Sequence, residues 1–103
     1  MNISFDFDGC LTRPDIQIVA KQLMNEGNNV CILTTRTEII TQGFGNHNTL
    51  FEVAKDLGIT KIIFTNGQRK YKYLKAFDLH YDDNPDEKEI AEANNVKCKI
   101  FLV

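Results

Sequence analysis

The chain has 103 residues, a length typical of one domain with its own hydrophobic core. Its apolar fraction of 43%, charged fraction of 25% and formal net charge of -2 are ordinary for a globular protein and give no sign of a basic nucleic-acid-binding surface. No apolar run approaches the ~20 residues of a membrane helix, so we expect no membrane partner. Because the first predicted strand begins at residue 2, we expect no signal or transit peptide before it.

Strand-like and helix-like patterns alternate along the whole chain. Apolar runs predict strands over residues 2–7, 30–33, 59–64, 79–81 and 96–103. Apolar residues at helical spacing predict helices over residues 14–26, 49–57, 70–76 and 85–94. Thr49 with Glu52 and Asn84 with Glu87 have the spacing of capping boxes. Strict alternation predicts a single α/β domain over residues 1–103, with a mostly parallel five-stranded sheet between two helical layers in a Rossmann-like α/β/α sandwich.

The three cysteines are odd in number and lack the spacing of metal ligands. Cys31 and Cys98 lie in predicted strands, where a thiol behaves as a small apolar group. Cys10 is close to an acidic motif, and we interpret it as a core or turn residue. This usage favours neither a disulfide framework nor a zinc site, and we expect a reducing, cytoplasmic location.

Polar side chains follow three of the predicted strands at the point where each strand ends. They are Asp6 with Asp8, Thr34 with Thr35, and Asp82 with Asp83. The carboxyl ends of parallel strands meet at one edge of a sheet, so these groups share a crevice if the strands are neighbours. Carboxylates without zinc-type ligands favour a hard cation such as Mg²⁺, and the nearby basic residues Arg36 and 69–72 suit a phosphoryl group.

Four motifs in order resemble those of the haloacid dehalogenase superfamily. Residues 6–12 are similar to its first motif, DxDGxLT, and residues 32–34 resemble its second, an apolar strand that ends in Thr or Ser. Lys70 stands where the third motif places a lysine, and residues 80–85 resemble the acidic fourth motif. The resemblance covers essentially the whole chain and implies a Mg²⁺-dependent phosphatase.

The resemblance implies a role for each catalytic residue. Asp6 would attack phosphorus and form an aspartyl phosphate, and Asp8 would protonate the leaving oxygen and then activate water. Thr34 would bind the phosphoryl oxygens, and Lys70 would pair with both the phosphate and Asp6.

Further residues would bind the substrate and the metal. Thr35 and Arg36 follow the second motif and are candidate substrate-binding residues. The Mg²⁺ ligands would be Asp6, the backbone carbonyl of Asp8, and Asp82, with Asp83 assisting directly or through water. Two assignments stay open: Lys72 is the alternative to Lys70, and Asp86 is the alternative to Asp83, although Asp86 is also explained as a first-turn helix residue.

The short connections leave no room for the cap domains that usually select substrates in this family. We therefore expect either a large substrate, such as a phosphorylated nucleic-acid end or phosphoprotein, or a second subunit of a homo-oligomer that supplies a lid. Residues 42–47 form the one internal loop long enough to influence specificity.

The alternative function is a catalytically weak relative that binds phosphate-bearing ligands or a protein partner. A signalling receiver domain is disfavoured because Phe64-Thr65-Asn66 stands where its phosphorylated aspartate belongs. A dehalogenase is also disfavoured, because its chemistry does not need a second acid such as Asp8.

Overall fold

A parallel β-sheet with helices on both faces forms the fold, in a computed structural model that describes residues 1–39 and 46–103. Within these residues the sheet has five strands: β1 (Asn2–Phe5), β2 (Asn29–Thr34), β3 (Ile62–Phe64), β4 (Leu79–Asp82) and β5 (Lys99–Leu102). Four helices connect them in turn: α1 (Pro14–Asn25), α2 (Asn48–Leu57), α3 (Tyr71–Leu74) and α4 (Pro85–Ala93). The predicted α/β class and sheet are confirmed. Most of the loop expected to influence specificity lies outside the described residues.

The strand order β3-β2-β1-β4-β5 places β1 at the centre of the sheet, and every neighbouring pair is parallel. The chain runs outward from β1 to β3 and then returns to the other side of β1 as β4. The winding therefore reverses between β1 and β4, and open α/β sheets bind ligands at the carboxyl ends of strands at such a point. The order also differs from the order 2-1-3-4-5 of flavodoxin-like and receiver domains.

Two separate groups of core residues show that the helices cover opposite faces. On one face Phe5 and Ile32 belong to the same cluster as Ala20 of α1 and Ala54 of α2. On the other face Leu33, the neighbour of Ile32, joins a second cluster whose other buried members are Leu74, Ala91, Cys98 and Ile100. Adjacent residues of a strand point to opposite faces, so β2 contributes to both clusters. This arrangement is the expected three-layer sandwich.

Three strands are shorter than the sequence predicts: β1 ends at Phe5 and not at residue 7, because the chain turns after Asp6, and a different local reason applies to β3 and β5. The N–H of Ile59 donates to the carbonyl of Ala54 at 2.8 Å, and the N–H of Val96 donates to that of Ala91 at 3.0 Å. Each apolar residue therefore closes the preceding helix, as is typical after a left-handed residue at a helix C-terminus. The apolar runs that predict strands over 59–64 and 96–103 thus begin inside helix-terminating turns.

The helix starts confirm Asn84 as the cap of one predicted capping box and correct the other box; Glu87 does not close the first box, because its carboxylate accepts from the N–H of Lys70 instead. The side chain of Asn84 accepts a hydrogen bond from the N–H of Asp86 at 3.0 Å, with Pro85 in the first turn. The cap predicted at Thr49 is wrong, because α2 begins one residue earlier, at Asn48.

All three cysteines are free and buried. Burial raises the pKa of Cys10 to about 12, and it raises those of Cys31 and Cys98 to about 11. These thiols therefore stay neutral near pH 7 and act as small core residues, as expected. In the described parts of the chain, no helix has the length and apolar character needed to cross a bilayer.

Candidate functional site

A crevice of about 390 Å³ opens at the carboxyl ends of β1 and β4. Its wall includes Asp6, Asp8, Thr35, Lys70, Asp82 and Asp83. Six of the eight residues proposed from the sequence therefore line one space, where the winding of the sheet reverses. The sheet topology explains this, since β1 and β4 are adjacent in space although distant along the chain.

A wide turn carries the chain from β1 past the crevice to α1. The N–H of Asp6 donates to the carbonyl of Tyr81 at 2.8 Å, and the carbonyl of Asp6 accepts from the N–H of Leu11 at 3.2 Å. Gly9 has φ of 72°, and a Cβ atom there would overlap the Asp83 carboxylate. Glycine is therefore required for two reasons, a left-handed backbone and close contact with an acidic side chain.

Lys70 is the central charged group of the crevice. Its Nζ lies 2.7 Å from Oδ1 of Asp6 and 2.8 Å from Oδ2 of Asp82, and the residue is only 2% exposed. Its backbone N–H donates to Oε2 of Glu87 at 3.1 Å, which fixes the start of α3. The alternative lysine, Lys72, is exposed on α3. The structure thus places Lys70 between the two acidic strand ends.

Three carboxylates surround a position suited to a cation. Asp6, Asp82 and Asp83 each offer an oxygen atom, and these atoms lie within 4.8 Å of one another. Among the described residues, Asp86 does not join this group. Lys70 takes Oδ1 of Asp6 and Oδ2 of Asp82; Oδ1 of Asp82 also accepts from the N–H of Asn84 at 3.0 Å but keeps a second acceptor position. The donor set is entirely carboxylate, which fits Mg²⁺ better than a soft metal.

The two buried aspartates that share Lys70 have opposite pKa shifts. Burial raises the pKa of Asp6 to about 7; the charge of Asp82 adds to this rise, and Lys70 opposes it. Burial also acts to raise the pKa of Asp82, but hydrogen bonding from His80 and the charge of Lys70 lower it to about 2. Burial disfavours the Lys70 ammonium, yet Asp6 and Asp82 together hold its pKa above the ordinary value. Asp82 is therefore the firmly ionised partner, and Asp6 is the easily protonated one.

Asp8 is held by a different cation. Arg36 donates to both of its oxygen atoms, from Nη2 at 2.6 Å and from Nε at 2.8 Å. These hydrogen bonds hold the pKa of Asp8 below its usual range. The guanidinium lies 5.0 Å from the centre of the Phe7 ring, and its Nη1 is 3.3 Å from Nδ1 of His47. Asp8 is 58% exposed at its side chain, so a ligand can reach this ion pair from solvent.

The two threonines after β2 take different positions. Thr34 is 1% exposed, and its Oγ1 accepts a hydrogen bond from the N–H of Arg36 at 3.2 Å. Thr35 is exposed and lines the crevice. Thr34 thus positions the backbone at Arg36, and its expected contact with a phosphoryl group stays a prediction.

Three further residues belong to the site but are not among the candidate site residues from the sequence, where Glu87 is read as a capping residue and His80 only as part of the fourth motif. Ser4, His80 and Glu87 are all 2% exposed or less, and each is hydrogen-bonded to another polar group of the site. Ser4 and His80 are register partners on β1 and β4, each within an apolar run. A polar residue inside a buried strand is the signal that identifies them, because buried polar groups need hydrogen-bond partners.

Comparison of the chain with protein-family models and with curated proteins finds no match. The functional interpretation therefore rests on the residues of the crevice. They combine a group of three carboxylates, a buried ammonium and a guanidinium that a ligand can reach. Such a set can bind a divalent cation together with an anion such as a phosphate.

Proposed function

We propose that this protein is a Mg²⁺-dependent phosphatase of the haloacid dehalogenase type, which hydrolyses phosphomonoesters through an aspartyl phosphate on Asp6. The observation that carries the proposal is the bridging position of Lys70 Nζ, 2.7 Å from Asp6 and 2.8 Å from Asp82. An ammonium so placed orients the nucleophile and compensates the charge of an incoming phosphate. The resemblance of four sequence motifs supports the same assignment.

The first step needs Asp6 as a carboxylate next to an anionic substrate. One oxygen atom of Asp6 attacks phosphorus, and the bond between phosphorus and the ester oxygen breaks. Lys70 favours the ionised form of Asp6 and so counteracts the effect of burial. A Mg²⁺ ion held by Asp6, the carbonyl of Asp8, Asp82 and Asp83 would supply charge compensation for the nucleophile and the phosphoryl oxygens.

Asp8 completes both steps by moving a proton. It gives a proton to the leaving ester oxygen, then takes one from the water that attacks the aspartyl phosphate, and inorganic phosphate leaves as the bond to Asp6 breaks. The ion pair with Arg36 favours the carboxylate form of Asp8. A substrate phosphate competes for the same guanidinium, and its binding returns the pKa of Asp8 toward the usual range. Arg36 thus links substrate binding to the protonation of Asp8, the general acid.

The open crevice supports a large substrate. Between Asp8 and Thr34 the chain forms the single helix α1, so no cap covers the site in the described residues. A phosphorylated nucleic-acid end or phosphoprotein fits this access, as does a second copy of the chain that supplies a lid. The three buried, free cysteines agree with a reducing cytoplasm as the location.

Phosphate release from a mixed panel of substrates tests the proposal. The panel holds an aryl phosphate, sugar and nucleotide phosphates, oligonucleotides phosphorylated at either end and a phosphopeptide, each with Mg²⁺ and with excess chelator. We expect Mg²⁺-dependent release that Asp6→Asn abolishes and that Asp86→Asn, an exposed control on α4, leaves unchanged. Turnover at the wild-type rate in Asp6→Asn contradicts the nucleophile assignment, and full activity in chelator contradicts the metal requirement. Silence across the panel in a folded protein that binds Mg²⁺ favours a phosphate-binding protein instead.

A further inference from the structure

Two buried polar side chains lie beneath the acidic crevice and are unused by the proposed reaction. Ser4 on β1 and His80 on β4 are both 0% exposed and are paired in the sheet register. Ser4 Oγ is 2.7 Å from His80 Nδ1, and His80 Nε2 is 2.7 Å from Oδ2 of Asp82. They therefore connect the interior of the sheet directly to a carboxylate of the crevice.

The partners of His80 determine which of its ring nitrogens carries hydrogen. The Asp82 carboxylate only accepts hydrogen bonds, so Nε2 must be the donor to it. In a neutral ring Nδ1 is then the acceptor, and Nε2 is the donor to Asp82 whether the ring is neutral or charged. The hydroxyl of Ser4 therefore donates to Nδ1 of the neutral ring. This direction makes His80 a donor aimed at one particular oxygen atom of Asp82.

The hydrogen bonds of Asp82 leave little of its capacity free. Its Oδ2 accepts from His80 at 2.7 Å and from Lys70 Nζ at 2.8 Å, and its Oδ1 accepts from the N–H of Asn84 at 3.0 Å. A carboxylate has about four acceptor positions, two on each oxygen atom. The free position is therefore on Oδ1, and Oδ2 is fully used.

We propose that Ser4 and His80 are positioning residues that fix the Asp82 carboxylate so that Oδ1 faces the divalent cation. The inference rests on the metal site of the proposed function, and the geometry points to it because three donors hold the ligand before any cation binds. Hydrogen bonds to a ligating carboxylate orient it, and the loss of such a partner commonly weakens metal affinity by about 10- to 100-fold. If the role of His80 is purely structural, its replacement changes the stability of the protein but not its Mg²⁺ affinity.

Calorimetric titration with Mg²⁺ alone tests the proposal without reference to catalysis. We expect His80→Phe to weaken Mg²⁺ affinity by about 10- to 100-fold, because phenylalanine keeps an aromatic ring at this position but lacks the N–H that donates to Asp82. His80→Gln restores an N–H near the position of Nε2 and should recover most of the affinity. Leu33→Ala, a buried control that faces the same helical layer, should lower stability and leave the affinity unchanged. Equal affinity in wild type and His80→Phe overturns the proposal.

Nitrogen NMR of the His80 ring gives a second test that does not depend on whether His80→Phe folds. We expect the wild-type ring in the form with hydrogen on Nε2, and the same form in Ser4→Ala, because the Asp82 carboxylate still requires a donor there. Hydrogen on Nδ1 alone in the wild-type protein overturns the proposal. If the His80 variants keep phosphatase activity and unchanged Mg²⁺ affinity, the positioning role of Ser4 and His80 is refuted and the proposed phosphatase function stands. Weakened Mg²⁺ affinity in a protein without turnover removes the proposed function and supports the positioning role.

Discussion

Replacement of Asp6 by asparagine should stabilise the metal-free protein while it abolishes turnover. Burial raises the pKa of Asp6 from its ordinary 3.8 to about 7 in the folded state. At 1.36 kcal/mol per pKa unit, this rise corresponds to about 4 kcal/mol of lost stability once the group is ionised. An asparagine is neutral at every pH, so the variant avoids this cost. The expected gain is a large part of the roughly 5–15 kcal/mol that stabilises a typical domain.

The gain depends on pH in a direction that follows from the pKa shift. The unfolded chain loses the Asp6 proton near pH 4 and the folded protein near pH 7, so the stability of the wild type falls as pH rises through this window. Asp82, whose pKa is lowered to about 2, contributes stability that is lost only below pH 4. We expect the two proteins to differ by about 4 kcal/mol at pH 8 and by almost nothing at pH 4.

Urea denaturation in chelator at pH values from 4 to 8 measures this difference. Asp56→Asn on α2 is the matched control, an exposed carboxylate whose change should stay within about 0.5 kcal/mol. Added Mg²⁺ should stabilise the wild type more than Asp6→Asn, because the cation binds the ionised carboxylate. A variant that is less stable than the wild type at pH 8, or a difference that does not change with pH, refutes the reasoning.

Two further substitutions probe the same crevice. Lys70→Met should destabilise the protein by about 3–5 kcal/mol and abolish phosphate release, because it leaves two buried carboxylates without their cation. Urea denaturation and the phosphate-release assay measure these two effects. The exposed Lys72→Met is the control and should change neither the stability nor the release. Gly9→Ala should cost about 1–2 kcal/mol from its left-handed backbone and also weaken Mg²⁺ binding, because the new Cβ displaces the Asp83 carboxylate. Unchanged calorimetric Mg²⁺ affinity in Gly9→Ala would show that Asp83 does not assist the metal.

The parts of the fold that depend on local pattern were predictable from the sequence. The alternation of apolar runs gives the order of strands and helices, and the Asn84 cap follows from local chemistry. The apolar residues Ile59 and Val96 were misread as strand because an apolar residue after a helix terminus and one at a strand start look alike in sequence. The choice between them is made by backbone hydrogen bonds that the pattern does not reveal.

The candidate site likewise has residues that the sequence predicts and contacts that it does not. Asp6 and Asp82 are visible in the sequence because strand ends in a parallel sheet share an edge. The exact partners were not visible, since the choice of Lys70 over Lys72 depends on where α3 begins against Glu87. Ser4 and the contact of His80 with it were not visible, because they depend on β1 lying beside β4, a pairing that the order of elements along the chain leaves open.

The long sequence separation within the site connects its chemistry to the folding of the chain. Ser4 and His80 are 76 residues apart, and Asp6 and Lys70 are 64 residues apart. Contacts this distant require closure of most of the chain, which makes them entropically costly and late to form. A growing or partly folded chain that lacks β4 has neither the ammonium bridge nor the buried histidine contact. The three carboxylates therefore come together only when the central strand pair of the sheet is complete, and binding of the proposed cation would report the finished fold.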